Sequence, residues 1–383
     1  MKKILFVVDE KMIGGVSIVL EDILNKIDKT NNRIDLLVLH PVGDRFSNIK
    51  NINYIEGPRF YSVIDKSLKS TIKSKNIVDI FNKLKLIFLL KTGLIKNKIR
   101  RSRKKFLKDT YDVEIAFKDG FCTIFTAFGD SKKKITWLHT DYSNNDPAGH
   151  YRKLFRESLY KLDTVVAISN EVKSKFNNVY GLNTRTIIIN NYIDIDKVIS
   201  NSNQENVKYD GNLNFVTVGR LCYVKGYDRL LSALDKLNKE KLLTDVRVYM
   251  IGTGEDEFYL KNKIIDYSLQ QVVTFMGKKD NPYPYIKSAD MMIMSSRSEA
   301  YPLTVIESLI LEVPVFTVEY SSAREMLKDR YNSYIVPNND EDIYIGLKTI
   351  VQNRNIIKEY KENIKKDKYT NKAIIEQIED LWR

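Results

Sequence analysis

Residues 213–226 read Leu213-Asn-Phe-Val-Thr-Val-Gly-Arg-Leu-Cys-Tyr-Val-Lys-Gly226. The first six are largely apolar, as in a strand that is buried inside a parallel sheet. Gly219 and Gly226 permit a tight backbone behind this strand, and a segment with helical periodicity follows. The stretch therefore predicts a strand, a glycine loop and a helix in succession.

The chain opens with the same order of features. Lys3-Ile-Leu-Phe-Val-Val8 is a continuous apolar run, Gly14-Gly15 lies in the loop behind it, and residues 16–27 have helical spacing. Further strands are predicted at 33–39, 113–117, 134–138, 164–168 and 185–189, and then at 246–251, 272–276, 291–295 and 314–318. Alternating strands and helices favour parallel sheets with right-handed crossovers. The predicted fold class is α/β with two Rossmann-like halves, whose ligands bind beyond the carboxyl ends of the strands.

A polar stretch at residues 200–212 divides the two halves and is predicted to be a linker. The predicted domains are 1–199 and 213–365, followed by a helical segment at 366–383. That last segment is amphipathic, with apolar residues at Ile374, Ile375, Ile378, Leu381 and Trp382. It either returns to the N-terminal half or packs on its own domain.

The composition indicates an ordered globular protein. The chain has 383 residues, of which 43% are hydrophobic, with 16 Gly and 8 Pro, and this suits about two domains. The two cysteines, Cys122 and Cys222, are far apart, and no Cys or His cluster has metal-ligand spacing. The apolar runs at 4–8 and 86–90 are too short for a signal peptide or a membrane span. We therefore expect a cytoplasmic protein in a reduced compartment.

The net charge of +13 is concentrated in one segment. Residues 66–108 contain fifteen Lys or Arg and a single acid, Asp79, so the rest of the chain is close to neutral. Apolar residues interleave with these cations, at Ile80, Phe81, Leu84, Ile87, Phe88, Leu94 and Ile95. This pattern favours a surface element on an anionic inner-leaflet membrane over a solvated helix face. No nucleic-acid-binding motif is present, so we expect no nucleic-acid partner.

The most informative stretch for chemistry is Ser298-Glu-Ala-Tyr-Pro-Leu-Thr-Val-Ile-Glu-Ser308. Pro302 suits the first turn of a helix, and the amides of Leu303 and Thr304 would then be free to bind a phosphate. Glu299 precedes this helix start, and Glu307 follows in its second turn. Two carboxylates beside a phosphate site fit a sugar attached to a diphosphate. Alternatively, the acids complement the helix macrodipole.

The loop at residues 219–226 strengthens the first interpretation. Arg220 and Lys225 are spaced to reach a diphosphate from one loop behind a strand. Two cations could stabilise a leaving diphosphate without a metal. The alternative, a surface Arg and Lys, is weakened because both positions fall at the edge of the sheet where ligands bind.

Taken together, these motifs resemble those of the retaining family 4 glycosyltransferases, which have the GT-B fold. The resemblance rests on Gly-Arg-Leu-x-x-x-Lys-Gly at 219–226, on Gly252-Thr-Gly254, and on Glu299 with seven residues before Glu307. It is weaker at Gly14-Gly15 and at residues 137–141, and weakest at 46–109. It implies two Rossmann-like domains whose parallel sheets face each other across a cleft, with a C-terminal helix that crosses back to the N-terminal domain.

The resemblance also implies roles for individual residues. The catalytic candidates are Glu299, near the reacting sugar carbon, and His139, which would hydrogen-bond the sugar. The donor diphosphate would be bound by Arg220, Lys225, Gly14, Gly15, Leu303 and Thr304. The nucleotide and sugar would contact Glu307, Gly219, Met276, Gly277, Lys278, Ala300, Tyr301 and Pro302. His139 could instead be a partly buried structural histidine, and Ala300-Tyr301-Pro302 departs from the Gly-Phe-Gly of many members, which affects the sugar pocket.

The implied function is metal-independent, retaining transfer of a hexose or N-acetylhexosamine from a nucleotide-sugar, expected to be a UDP-sugar, with no cofactor. No early Asp-x-Asp metal motif is present, and Asp194-Ile-Asp196 is interpreted as a helix cap and a surface acid. The acceptor is expected to be an oligosaccharide or a lipid-linked saccharide in bacterial capsule, exopolysaccharide or wall-polymer assembly. The alternatives are a nucleotide-sugar epimerase or a phosphorylase of the same fold, or a non-catalytic basic membrane adaptor.

Overall fold

The computed structural model describes residues 1–10, 14–40, 46, 49–64, 66–142, 149–181 and 185–383. These residues form two compact units. The N-terminal unit comprises Met1–Ile193 and Asn371–Arg383, and the C-terminal unit comprises Asp194–Thr370.

The N-terminal unit is built on seven strands, namely β1 (Lys2–Glu10), β2 (Asn32–His40), β3 (Asn53–Glu56), β4 (Val113–Ala116), β5 (Lys133–Leu138), β6 (Thr164–Ala167) and β7 (Thr186–Ile188). They form one sheet in the order β3-β2-β1-β4-β5-β6-β7, and all neighbouring strands are parallel. The helices of this part of the chain are α1 (Gly15–Lys26), α2 (Leu68–Lys73), α3 (Ile77–Lys91), α4 (Ile95–Phe106), α5 (Phe121–Ala127), α6 (Arg152–Leu159) and α7 (Asn170–Tyr180).

The C-terminal unit begins with helix α8 (Ile195–Ser202) and is built on six strands, namely β8 (Leu213–Val218), β9 (Val246–Ile251), β10 (Val273–Gly277), β11 (Met291–Met294), β12 (Val315–Val318) and β13 (Ser333–Val336). Their order is β10-β9-β8-β11-β12-β13, again with parallel neighbours. The helices are α9 (Tyr227–Lys239), α10 (Glu257–Asp266), α11 (Tyr283–Lys287), α12 (Leu303–Ile310), α13 (Ala323–Met326), α14 (Asp340–Gln352) and α15 (Asn355–Lys366). The last helix of the chain, α16 (Lys372–Asp380), belongs to the N-terminal unit.

The predicted α/β class with two parallel sheets is confirmed. Strands β8 and β9 have the predicted bounds, and β1 and β2 are each one or two residues longer at both ends. Two edge strands, β3 and β13, are absent from the predicted set. Strand β3 carries an exposed Asn53 and an exposed Glu56, and β13 is only four residues long, so neither has a distinctive apolar pattern.

The C-terminal helix returns to the N-terminal unit, as predicted. The Trp382 ring meets Phe6 of β1 edge-on, with 6.3 Å between ring centroids. The carboxylate of Glu379 accepts a hydrogen bond from the Asp28 amide at 2.8 Å, and the Asn371 side-chain amide donates to the Ile193 carbonyl at 2.6 Å. These contacts contradict the alternative that the helix packs on the C-terminal unit.

The two units divide at residues 193 and 194, ahead of the polar stretch 200–212. That stretch begins inside helix α8, which belongs to the C-terminal unit. Asp194 is the N-cap of α8, and its side chain accepts from the Lys197 amide at 3.2 Å. The interpretation of Asp194 as a helix cap is therefore confirmed.

The basic segment 66–108 forms helices α2, α3 and α4, and part of it lies in the core. Ile95 is fully buried. Lys83 is buried as well and donates to the carbonyls of Val63 and Ile64 at 3.0 and 3.2 Å. Arg103, also buried, pairs with Glu114 of β4 at 2.6 Å. The expectation that the whole segment faces a membrane is thus wrong for these three residues, which attach it to its own unit.

No helix in the described part of the chain is both long and apolar enough to cross a membrane.

Candidate functional site

The loops after β8 and β11 are joined at the carboxyl end of the second sheet. The Ser295 hydroxyl donates to the carbonyl oxygens of Gly226 and Lys225 at 2.9 and 3.3 Å. The Arg297 amide donates to the carbonyl oxygen of Val224 at 2.8 Å. The Ser295 hydroxyl and the Arg297 backbone amide together hold one loop against the other.

A bidentate ion pair reinforces this junction. The guanidinium of Arg297 donates to both carboxylate oxygens of Asp228 at 2.7 and 2.8 Å and lies 4.0 Å from the centre of the Tyr223 ring. Burial raises the pKa of Asp228, but the hydrogen bond and charge of Arg297 oppose it, so that the pKa is lowered overall. Paired carboxylate and guanidinium groups of this geometry are among the stronger side-chain contacts.

Glycines allow the backbone segments of this loop to approach each other closely. Gly226 has a φ of +65°, and a Cβ there would lie 2.2 Å from the Ser295 carbonyl oxygen. Gly252 has a φ of +143°, and its Cβ would lie 1.9 Å from the carbonyl oxygen of Gly219. A Cβ on Gly219 would lie 2.9 Å from the Tyr227 hydroxyl. The sequence prediction of tight backbone at Gly219 and Gly226 is therefore confirmed.

At the centre of this edge, Lys225 and Glu299 form an ion pair. The Lys225 ammonium lies 2.6 Å from Glu299 Oε1, and the Ser296 hydroxyl donates to the same oxygen at 2.7 Å. The Glu299 side chain is 12% exposed and the Lys225 side chain 31%. Two of the residues selected from the sequence are thus in direct contact, and the carboxylate is held in one orientation.

Arg220 differs from Lys225 in its partners. It is exposed and makes no hydrogen bond or ion pair with any residue that the structure describes. A guanidinium with unused donors at the carboxyl end of β8 is available for an anionic ligand.

Helix α12 begins at Leu303, with Pro302 as its N-cap. The sequence predicts Pro302 in the first turn of this helix, but the residue lies one position earlier, because its ψ of 119° is extended. Leu303 and Thr304 occupy the first two helical positions, whose amides have no carbonyl partner within a helix. A small cavity lies at this helix start, lined by Thr217, Val218, Lys225, Tyr227, Met294, Ser295, Ser296 and Thr304. The cavity therefore adjoins both the Lys225 ammonium and the helix N-terminus.

Glu307 is buried in the second turn of α12 and accepts a hydrogen bond from the Tyr283 hydroxyl at 3.2 Å. Its carboxylate is thus fixed by a residue of α11. Glu299 and Glu307 therefore flank the same helix start, one ahead of it and one inside it.

The remaining selected residues of this unit lie in two loops. Gly277 ends β10 with a φ of +67°, Met276 is half-buried, and the exposed Lys278 lies 3.1 Å from Asp280. The Ala300 carbonyl accepts from the Ser322 hydroxyl at 2.6 Å, and burial raises the pKa of Tyr301. The Ala300-Tyr301-Pro302 turn is therefore packed against α13.

Three selected residues lie in the N-terminal unit. Gly14 caps α1 and Gly15 begins it, and both are exposed at the carboxyl end of β1. His139 follows β5, and burial lowers its pKa to about 3. The Nε2 atom of His139 is buried and has no hydrogen-bond partner among the residues that the structure describes. The imidazole is therefore neutral at physiological pH and retains an unused polar atom.

Several residues near His139 and near the Glu299–Glu307 helix start were not predicted from the sequence. Asp119 is buried beside His139 and accepts from Thr140 Oγ1 at 3.1 Å and from the Tyr142 hydroxyl at 3.0 Å. Burial raises the pKa of Asp119. Ser296 could have been found from its place at the end of a predicted strand. Tyr283 gives no such signal, because it lies in another helix, 24 residues before Glu307.

No group of three or more His, Cys, Asp or Glu side chains that could hold a metal ion occurs among the described residues.

Known proteins resemble the chain in sequence and in fold. Residues 198–367 match the family described as Glycosyl transferases group 1. An uncharacterized glycosyltransferase of Methanocaldococcus jannaschii is 24% identical over 79% of each chain. The N-acetylgalactosamine-N,N'-diacetylbacillosaminyl-diphospho-undecaprenol 4-alpha-N-acetylgalactosaminyltransferase of Campylobacter jejuni is 26% identical over 46% of this chain and 47% of its own.

The crystal structure of Anabaena HepE in complex with UDP and glucose has a TM-score of 0.71 at 17% identity and covers 99% of each chain. This similarity establishes the two-sheet fold that the GT-B glycosyltransferases share. The family match falls on the unit that carries Lys225, Glu299 and Glu307. The C-terminal unit is therefore a group 1 glycosyltransferase domain, in a chain with the GT-B fold.

Proposed function

We propose that the protein transfers a sugar from a UDP-sugar to a saccharide acceptor with retention of the anomeric configuration and without a metal ion. The observation that carries this proposal is the ion pair of Lys225 and Glu299, at 2.6 Å, beside the helix start at Leu303. It places a cation, a carboxylate and free helix amides within one loop cluster. The choice of UDP is supported by its presence in the HepE structure.

The donor diphosphate would be bound by Arg220, Lys225 and the amides of Leu303 and Thr304. Cations and helix amides favour a diphosphate that gains charge as it leaves, so they lower the barrier to its departure. Glu299 would bind the sugar hydroxyls near the anomeric carbon, and Glu307 the ribose. The bond from that carbon to the diphosphate breaks, the acceptor oxygen bonds on the same face, and its proton passes to a donor phosphate oxygen.

In the N-terminal unit, His139 would hydrogen-bond a sugar hydroxyl through Nε2. A neutral imidazole can accept a hydrogen bond at one nitrogen while it donates one from the other, and the low pKa caused by burial keeps His139 in this form. Gly14 and Gly15 would let a phosphate approach the backbone at the start of α1.

Nucleotide binding can be tested by thermal shift with UDP, GDP and ADP in the presence of a chelator. UDP at about a hundred times its dissociation constant should stabilise the protein by about 2.7 kcal/mol, and Arg220→Ala should remove most of this stabilisation. Lys358→Ala is a suitable control, because Lys358 is exposed on α15. A shift that requires added metal, or one that Arg220→Ala leaves unchanged, would contradict the proposed donor site.

We further propose that the acceptor is lipid-linked and that the enzyme works at an anionic membrane surface in the synthesis of a surface glycan. Helix α3 supports this, because it exposes a row of large apolar side chains. Its buried face includes Asp79 and Lys83 beside Leu86, whereas Ile77, Phe81 and Phe88 are 81%, 64% and 59% exposed. Residues 77, 81, 84 and 88 follow helical spacing and form one stripe, on a helix that also exposes Lys85 and Lys91.

Removing the aromatic rings from this stripe should weaken membrane binding. Phe81→Ser with Phe88→Ser should lower binding to vesicles that contain phosphatidylglycerol by about tenfold or more, since each buried ring contributes about 1.5 kcal/mol or more. Phe258→Ser is the control, because Phe258 is 78% exposed in the C-terminal unit. Equal vesicle binding by the double variant and the control would rule out docking through α3.

A further inference from the structure

The N-terminal unit also contains a cavity, and none of the residues that line it has been given a role in donor binding or catalysis above. It has a volume of about 700 Å³ and lies between the Lys66 loop, α3, α4 and α6. Its lining combines five lysines (Lys66, Lys83, Lys91, Lys96 and Lys153) with the apolar residues Leu68, Ile87, Leu90, Ile95 and Leu154. Among the described residues of this lining, Glu157 is the single acid.

The lysines of the cavity differ in whether they already form an ion pair. Lys66 pairs with Asp79 at 3.2 Å, and Lys96 pairs with Glu157 at 2.6 Å. Lys91 and Lys153 are exposed and form no ion pair with any residue in the described part of the chain. The cavity therefore has an excess of positive charge next to an apolar wall, which fits a ligand with an anionic head and a hydrocarbon tail.

One end of the cavity lies beside the exposed stripe of α3, and the other end lies toward Asp119 and His139. On α3, Ile87 and Lys91 line the cavity and neighbour Leu84 and Phe88 of the exposed stripe. At the other end, the Tyr151 ring meets Phe121 edge-on, with 6.3 Å between centroids. Phe121 begins α5, two residues after Asp119, which accepts a hydrogen bond from the His139 backbone.

We infer that this cavity binds the phosphate or diphosphate and the first part of the hydrocarbon of the lipid-linked acceptor. Lys91 and Lys153 would bind the phosphate oxygens, and Ile87, Leu90 and Leu154 the hydrocarbon. The tail would continue along the stripe of α3, and the saccharide would lie toward the loops around Asp119 and His139. This assignment rests on the proposed function, because it names the acceptor of that transfer.

Farnesyl diphosphate below its micelle concentration is a suitable probe, because it carries a diphosphate and a short isoprenoid chain. The full-length protein should bind it more tightly than inorganic pyrophosphate or farnesol. Lys91→Gln with Lys153→Gln should weaken its binding by about tenfold or more, since each cation contributes about a factor of five. Leu154→Gln should weaken farnesyl diphosphate binding and leave pyrophosphate binding unchanged.

Lys85→Gln with Lys105→Gln is the matched control. Both lysines are exposed in the same basic segment and neither lines the cavity. The unfolding midpoint from tryptophan fluorescence verifies the fold of each variant, because Trp137 and Trp382 both belong to the N-terminal unit.

Three outcomes would overturn the inference. The control pair could weaken binding as much as the cavity pair, pyrophosphate could bind as tightly as farnesyl diphosphate, or the cavity variants could lose only their binding to phosphatidylglycerol vesicles. The last result would mean that bulk phospholipid occupies the cavity. UDP binding and transfer to a soluble saccharide test the proposed function separately, so an intact transferase that does not bind farnesyl diphosphate would contradict this inference alone.

Discussion

Glu299→Gln should lower kcat by about 100-fold or more while nucleotide affinity changes little. The carboxylate accepts hydrogen bonds from Lys225 at 2.6 Å and from Ser296 at 2.7 Å, and the amide would keep its size but lose its charge. A group that stabilises developing charge acts mainly in the transition state, and removing such a group typically costs about 100-fold to 1,000-fold in kcat.

The measurement pairs steady-state transfer kinetics with UDP binding for the same variant. Glu359→Gln is the control, because Glu359 is exposed on α15 and belongs to the same unit. A parallel loss of kcat and of UDP affinity would mean that Glu299 only shapes the nucleotide site. Unchanged kcat would exclude Glu299 from the reaction.

Glu114→Gln should lower the free energy of unfolding of the N-terminal unit by about 3–5 kcal/mol. Glu114 is fully buried in β4 and accepts from Arg103 at 2.8 and 2.6 Å and from the Ser131 hydroxyl at 2.7 Å. The variant would leave the Arg103 guanidinium, which is 4% exposed, with the exposed carboxylate of Asp130 at 4.0 Å as its remaining counter-charge among the described residues. Breaking one side of a buried pair has a cost of about this size.

Denaturant unfolding followed by tryptophan fluorescence measures this change, because Trp137 and Trp382 are buried in the N-terminal unit and are the two tryptophans of the chain. Glu157→Gln is the comparison, since the Glu157 side chain is 44% exposed in its pair with Lys96. An exposed pair contributes less than about 1 kcal/mol. Similar losses in the two variants would show that the Arg103 pair does not stabilise the fold more than a surface pair does.

The buried Arg103 also explains why the charge pattern of the sequence was misleading. Residues 66–108 contain fifteen Lys or Arg and one acid, a pattern that predicts a membrane surface for the whole segment. In the structure Lys83 donates to the carbonyls of residues 63 and 64, and Arg103 neutralises a carboxylate of the sheet. Composition counts charges but does not record which of them have partners in the fold.

Most of the strands, and the residue types at their carboxyl ends, can be read from the amino-acid sequence alone. A strand that is buried on both faces needs an unbroken apolar run, so β1, β8 and β9 were visible without tertiary information. Gly226 is recognisable in the sequence as a loop glycine, and its positive φ is a backbone conformation that favours this residue. Parallel strands also end at one edge of a sheet, which brought Arg220, Lys225, Glu299 and Glu307 to the same part of the molecule.

Which of these residues are in contact with each other depends on tertiary packing. The pairing of Lys225 with Glu299 joins positions 74 residues apart, and the exposure of Phe81 and Phe88 on α3 depends on what the rest of the unit packs against this helix. The edge strands β3 and β13 and the cavity beside α3 were likewise invisible in the sequence. The physical reason is that apolar periodicity is a local property, whereas burial, ion pairing and cavities arise from elements that are distant in the chain.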